Sequence, residues 1–176
     1  MPGTGNSISV RTAGARDAAL LASLGEATFR ESWARFNDPA DMAAYCLANF
    51  TPGLLEADLA RPGVRYLIAE SGAEAAGYLR LAAEAAPACV IAARPVEISR
   101  LYSLRSWHGR GVGPVLMTAG LRDARVAGHD IAWLAVWQRA PQPLAFYRKW
   151  GFEVVGTTRF HLGRDVQEDF VMTRPL

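Results

Sequence analysis

His108-Gly109-Arg110-Gly111-Val112-Gly113-Pro114 lies between a strand-like run and a helical one, and the reading of this chain turns on it. Three glycines at every second position let the backbone turn tightly and bring its amides close to a ligand. Those amides lead into a helix N-terminus, where unpaired N–H groups and the macrodipole favour an anion. Pro114 suits the first helical turn, which has no N–H bond to lose. Arg110 adds a cation. Physically the segment is a cradle for a pyrophosphate; for the glycines alone, a tight strand-to-helix turn without a ligand is a fair reading too. No Gly-Lys-Ser/Thr triplet makes it a P-loop. The dinucleotide fingerprint G-x-G-x-x-G would need glycine where Pro114 stands.

Working outward, a helix is predicted from the glycine turn to about Ala127, then a strand over Ile131 to Trp137. Pro143 to Trp150 reads as a helix closed by Gly151, and Phe152 to Phe160 and Phe170 to Thr173 as strands. Upstream, Val96 to Leu104 alternates as a strand, with Ile98, Tyr102 and Leu104 on one face and Glu97, Ser99, Leu101 and Ser103 on the other. Arg65 to Glu70 and Ala76 to Leu81 form a hairpin through Ser71-Gly72. Ile8 to Thr12 is a short opening strand and Ala15 to about Trp33 a helix with Leu20, Leu21, Leu24 and Thr28 on its apolar stripe. A second helix starts at Asp38, with Pro39 in its first turn, and Leu54 to Leu59 adds one or two turns. The alanine-rich run Ala82 to Ala93, broken by Pro87, has no clear assignment. With no repeat and no linker, residues 1–176 read as one α/β domain in which helices cover a mixed sheet.

Composition excludes several classes. The chain has 176 residues, 51% of them hydrophobic, which is ample for a core and too apolar for disorder. Nineteen Lys and Arg against 17 Asp and Glu leave no basic excess for nucleic acid. No apolar run approaches the roughly 20 residues that span a bilayer, and Met1 to Asn6 lacks the charged and apolar regions of a secretory signal. A cytoplasmic protein is expected. Cys46 and Cys89 sit in apolar surroundings and read as buried thiols. His108, His129 and His161 show no zinc spacing, so no metal site is expected.

Around the glycine turn the order is Glu97-Ile98-Ser99-Arg100-Leu101-Tyr102-Ser103-Leu104, the turn and its helix, Trp133-Leu134-Ala135-Val136-Trp137, then Ala145-Phe146-Tyr147-Arg148-Lys149-Trp150-Gly151-Phe152. This resembles the GCN5-related N-acetyltransferase (GNAT) family. The family signature Q/R-x-x-G-x-G/A falls on His108 to Gly113 and its FY-x-x-x-GF element on Phe146 to Phe152. Thr28-Phe29, Asn37, Asp41, Tyr45, Glu97 to Arg100, Phe160 to Gly163, Gln167, Asp169 and Met172 are similar to the bacterial spermidine/spermine acetyltransferase branch. Three positions depart: His108 replaces Gln or Arg, Ala140 stands where the family usually carries Asn, with Gln142 the nearest amide, and Ala135 occupies the place of a glutamate that some members use as base.

The resemblance implies a mixed, mostly antiparallel central sheet of six or seven strands flanked by helices on both faces. It implies transfer of an acetyl group from acetyl-CoA, as co-substrate, to a primary amine: a polyamine, a small amine or a peptide N-terminus. Leu101, Tyr102, Ser103, His108, Gly109, Arg110, Gly111, Val112, Gly113, Pro114, Gln142 and Phe146 would then bind the CoA, one strand N–H serving as oxyanion donor. Tyr147 would be the general acid to the CoA thiolate, although by periodicity alone it reads as a core aromatic. Glu97 is either the base for the amine or a structural partner of Arg100 or another cation on a sheet face. Glu26, Glu31, Asp38 and Asp41 fall in the segment that walls the acceptor channel, yet acids on surface helices are usually just solvated; His161 is a further candidate for that pocket. A non-catalytic acyl-CoA-binding regulatory domain is the alternative function. Exposed sheet edges leave a homodimer open.

Overall fold

The computed structural model describes residues 7–176, so the Met1 to Asn6 stretch read for a secretory signal lies outside the described residues. Seven strands form one sheet: β1 (Ser9–Thr12), β2 (Val64–Ser71), β3 (Glu74–Ala82), β4 (Pro95–Ser103), β5 (Ile131–Trp137), β6 (Glu153–Leu162) and β7 (Asp165–Pro175). Their order is β1-β2-β3-β4-β5-β7-β6. Every neighbour pair is antiparallel except β4 and β5. This is the mixed, mostly antiparallel sheet expected.

Five helices cover it: α1 (Ala18–Trp33), α2 (Pro39–Asn49), α3 (Pro52–Leu59), α4 (Val112–Val126) and α5 (Pro141–Lys149). Asp38 caps α2 as its sequence suggests, accepting from the amides of Ala40 and Asp41. One face of the sheet buries Leu79, Leu81, Ile98 and Leu134 under Leu116 and Met117 of α4. The other buries Tyr66, Ile68 and Tyr78 under Leu21 and Leu24 of α1 and Leu55 of α3. Each such side chain contributes about 1.5–3 kcal/mol by leaving water.

Several expectations need correction. The alternation read along Val96 to Leu104 is broken: Arg80 pairs with Arg100 but Leu81 pairs with Ile98, so Ser99 is an extra residue. That bulge moves Glu97 to the face of Arg100 and Tyr102, and leaves Ile98 with Leu101. Helix α4 starts at Val112, not beyond Gly113, and α5 at Pro141 rather than Pro143. The strand read as Phe152 to Phe160 starts at Glu153 and runs on to Leu162, and the one read as Phe170 to Thr173 extends at both ends to Asp165–Pro175, because the β6–β7 ladder reaches Leu162↔Asp165 across exposed polar residues and β5 pairs with Arg174 and Pro175. In the alanine-rich run, Ala82 ends β3 and the rest is irregular chain, with Val90 packed on Trp133 and Val171. Cys46 is buried and Cys89 half-buried, both as free thiols.

Candidate active site

Strands β4 and β5 stay paired for only three positions, Pro95↔Ile131, Val96↔Ala132 and Glu97↔Trp133. Beyond Glu97, β4 continues along β3 to Gly77↔Ser103, while β5 continues along β7 to Trp137↔Asp169. The two strands therefore part, and β4 presents an inner edge of backbone groups without a strand partner, the arrangement to which an extended ligand adds. A cavity of about 920 Å³ occupies the fork, with Glu97 to Ser103 on one wall and Ala135 to Trp137 on the other.

The glycine turn lies at the end of β4. Trp107 anchors it: the indole is buried and donates to Glu74 Oε1 at 3.1 Å. Gly109 and Gly111 have φ of +74° and +88°, a region closed to most side chains. Backbone bonding is sparse here. Arg110 N reaches Trp107 O at 3.3 Å and Val115 N reaches Gly111 O at 3.1 Å, and among the described residues the amides of Gly111, Val112 and Gly113 make no backbone bond. Three N–H groups are thus left without a backbone acceptor at a helix N-terminus, the kind of place where an anion can be held. Gly113 serves differently from the other two, since it is helical and leaves room for the Phe146 ring, 3.4 Å from where a Cβ would stand. Gly77 on β3 draws the parts together: a Cβ there would meet Tyr102 O at 2.5 Å and Val112 Cγ1 at 2.9 Å.

Ionisable groups face the fork with little compensation. Burial pushes the Glu97 carboxyl up to about 7, with Arg80 and Arg100 opposing the rise and Glu84 adding to it. Among the described residues the Glu97 carboxylate is within salt-bridge distance of neither Arg100 nor another cation, although Arg80 and Arg100 are near enough to act on its charge. Burial alone pushes Asp169 up to about 6, and its Oδ1 has no hydrogen-bond partner among the described residues. Tyr147 is partly buried on α5 and lines the cavity, its phenol held well above the ordinary range by burial and then by Tyr102. It therefore stays protonated at neutral pH, as a proton donor must. Tyr102 accepts from the Trp33 indole at 3.1 Å.

The fork gathers Glu97, Leu101, Tyr102, Ser103, His108, Gln142 and Tyr147 on the cavity wall. Gly109 to Pro114 and Phe146 stand outside it, the former as the turn beyond His108, the latter packed beneath Gly113 and on the core. His108 Nε2 is 3.2 Å from Ser103 O and braces the end of β4. Arg110 is exposed and its guanidinium lies over Trp107 at 5.3 Å. Ala140 begins α5 with no side-chain cap, the place where an Asn would have supplied one. Of the four acids near the start, only Glu31 lines the cavity, and it accepts from Arg105 N at 2.7 Å. Glu26 pairs with Arg30, Asp38 caps α2 and Asp41 lies against Gly163. His161 is exposed and off the wall. Asp169 was legible only as part of a family pattern; nothing in its local sequence signals an unpartnered buried carboxyl. Among the described residues no three His, Cys, Asp or Glu side chains could hold a metal ion, and no helix is long and apolar enough to cross a membrane.

Comparison with known proteins agrees with this geometry. Residues 26–152 match the model of the Acetyltransferase (GNAT) family. An uncharacterized N-acetyltransferase of Mycobacterium tuberculosis is 32% identical over 91% of this chain and 98% of its own length. One from Lactobacillus delbrueckii subsp. lactis is 27% identical over 92% and 93%. Among solved structures, the PaiA N-acetyltransferase of Thermoplasma acidophilum in complex with coenzyme A superposes with a TM-score of 0.79 at 18% identity, covering 97% of this chain and 99% of the other. The YncA putative acetyltransferase of Salmonella typhimurium with its cofactor acetyl-CoA gives 0.65 at 19% identity, covering 97% and 94%.

Proposed function

The chain belongs to the GNAT acetyltransferase family and is an acetyl-CoA-dependent N-acetyltransferase; from that premise we propose that it works as a single cytoplasmic domain acetylating a primary amine by direct attack. The observation that carries this is the parting of β4 and β5 at Glu97, beside three unbonded amides at the start of α4. The residues present fit a coenzyme A thioester. Gly109 and Gly111 face open space at positive φ, the α4 amides suit a diphosphate, and the free edge of β4 suits an amide-bearing arm.

The bound thioester supplies an activated acetyl group. In our reading, a backbone N–H of Leu101, Tyr102 or Ser103 polarises its carbonyl, a donor class whose loss typically costs on the order of 3 kcal/mol in barrier. Glu97 accepts the proton of the incoming ammonium, directly or through water. Tyr147 donates its phenolic proton to the departing sulfur as the C–S bond breaks and the N–C bond forms. Gln142 takes the part of the missing Asn near the start of α5. Polyamines, small amines and peptide N-termini are the acceptor classes in this proposal, and a homodimer through a sheet edge is its assembly.

Thiol release from acetyl-CoA, followed across those three acceptor classes with calorimetric titration of coenzyme A in parallel, tests it. Binding with amine-dependent release supports the reading. Binding without release by any acceptor would leave a non-catalytic acyl-CoA-binding domain instead.

A further inference from the structure

Arg80 and Arg100 are direct cross-strand partners on one face of the sheet, a juxtaposition of like charges that ordinarily destabilises a ladder. Arg80 is neutralised, with Nε and Nη2 on Asp58 at 2.7 and 2.9 Å and Nη2 on Glu84 at 3.2 Å. Arg100 is not. Its Nη2 donates to Asn49 Oδ1 at 3.2 Å, its Nη1 only weakly to Tyr66 Oη at 3.4 Å, and its guanidinium lies 4.8 Å from the Phe50 ring centre. Among the described residues no carboxylate is within salt-bridge distance. A guanidinium carries five donors and does not lose its charge, so a largely buried one without an anion is costly to hold.

Arg100 lines the large cavity, and through the Ser99 bulge it shares a face with Glu97. Resting on the acetyl-transfer function above, we propose that the acceptor amine bears a carboxylate held by Arg100, so that the preferred acceptors are free amino acids. A carboxylate meets a guanidinium in two parallel hydrogen bonds and would complete the donor set. Glu97, three residues away on the same face, then takes the ammonium proton. A peptide N-terminus lacks that charge because its first carboxyl is an amide. A polyamine would bring a second cation towards Arg100, while Glu26 and Asp38 are engaged elsewhere. At another part of the wall Trp33 and Phe36 meet Trp137 edge-on, with ring centres 5.9 and 5.5 Å apart, a surface for a large apolar side chain.

The test compares acceptors that differ only in the carboxyl group, using the full chain and acetyl-CoA: phenylalanine, phenylalaninamide and phenethylamine, then tryptophan and tryptamine, with spermidine alongside. The expected result is a kcat/KM at least tenfold higher for each amino acid than for its decarboxylated amine and for spermidine. Phenylalaninamide separates charge from amine basicity and should fall with the amines. Arg100→Gln should abolish the preference mainly through KM, and Arg100→Lys should restore part of it. Equal or better turnover of the uncharged-carboxyl or decarboxylated acceptors overturns the proposal and leaves the acetyltransferase standing; failure of every acceptor to raise thiol release overturns both. If the Arg100 variants fail to fold, the wild-type comparison alone decides.

Discussion

Glu97 and Tyr102 stand on one face of β4 although they are five positions apart, because the ladder to β3 passes over Ser99. In an unbroken strand an odd separation would send Glu97 towards the apolar face under α4. The bulge sits two residues beyond the last β4–β5 pair. One irregularity thus accompanies both the opening of the fork and the turning of a carboxyl into it.

Glu97→Gln tests the base. A base acts when deprotonated, so wild-type kcat/KM should rise with pH through about 7, and the variant should lose that limb and about 10²-fold in rate. Stability should move the opposite way. A carboxyl raised from 4.5 to about 7 binds its proton more tightly when folded, so its stabilising effect is full below 4.5 and is lost as pH rises through 7. At pH 8 the ionised group carries a penalty of about 1–3 kcal/mol that Gln avoids. Urea unfolding at pH 5 and pH 8 should show the variant gaining relative to wild type at the higher pH; parallel behaviour would contradict the raised value.

Tyr147→Phe should lower kcat by about 10²-fold while acetyl-CoA binding, followed by calorimetry, stays the same. The ring packing against Phe146 and Phe152 survives the change, so the fold should too. Unaltered kcat in the folded variant removes Tyr147 from the reaction.

Gly111→Ala places a side chain at φ +88° with nothing within 4 Å to clash. The penalty is then conformational, about 1–2 kcal/mol, and relief by rotation would turn the Val112 and Gly113 amides. A rise in KM for acetyl-CoA of about tenfold is expected, with a much smaller change in kcat. Equal KM values would separate the turn from diphosphate binding.

Gly77→Ala meets the β4 backbone at Tyr102 and the short, branched side chain of Val112, so β4 or α4 must shift. We expect a loss of about 1–3 kcal/mol in stability with a raised KM for acetyl-CoA, read by thermal unfolding and kinetics together.

Asp58→Asn removes the carboxylate that takes two of the Arg80 hydrogen bonds, leaving Arg80 with Glu84 at 3.2 Å and facing the Arg100 guanidinium beside a buried tyrosine. A loss of about 3–5 kcal/mol in denaturant unfolding is expected. The Arg80 contact holds the Asp58 carboxyl well below the usual carboxylate range against the effect of burial, so this contribution is present above the unfolded-state value near 3.8 and is lost as pH falls.

Local chemistry made much of this legible in the chain. Asp38-Pro39 announced a helix start, Gly151 a helix end, and the Gly109-x-Gly111 spacing a turn with free amides, because caps and positive-φ glycines act within a few residues. Family likeness supplied the mixed, mostly antiparallel sheet and singled out Tyr147, which the structure places on the cavity wall. The extra residue at Ser99 was not legible, since a bulge is defined by its partner strand. Nor was the unpartnered state of Asp169, whose neighbours Trp137 and Thr158 come from other strands.

The sequence by itself determined most element types, the α/β class and the position of the glycine turn before α4, all of which follow from periodicity and backbone chemistry over short spans. Tertiary structure alone decided where β4 and β5 separate, which face Glu97 occupies, and which charges are left without partners. Those properties depend on register and desolvation between segments far apart in the chain: Arg80 meets the Asp58 carboxylate 22 residues away, while Arg100 meets the uncharged Asn49 and Tyr66, 51 and 34 residues away.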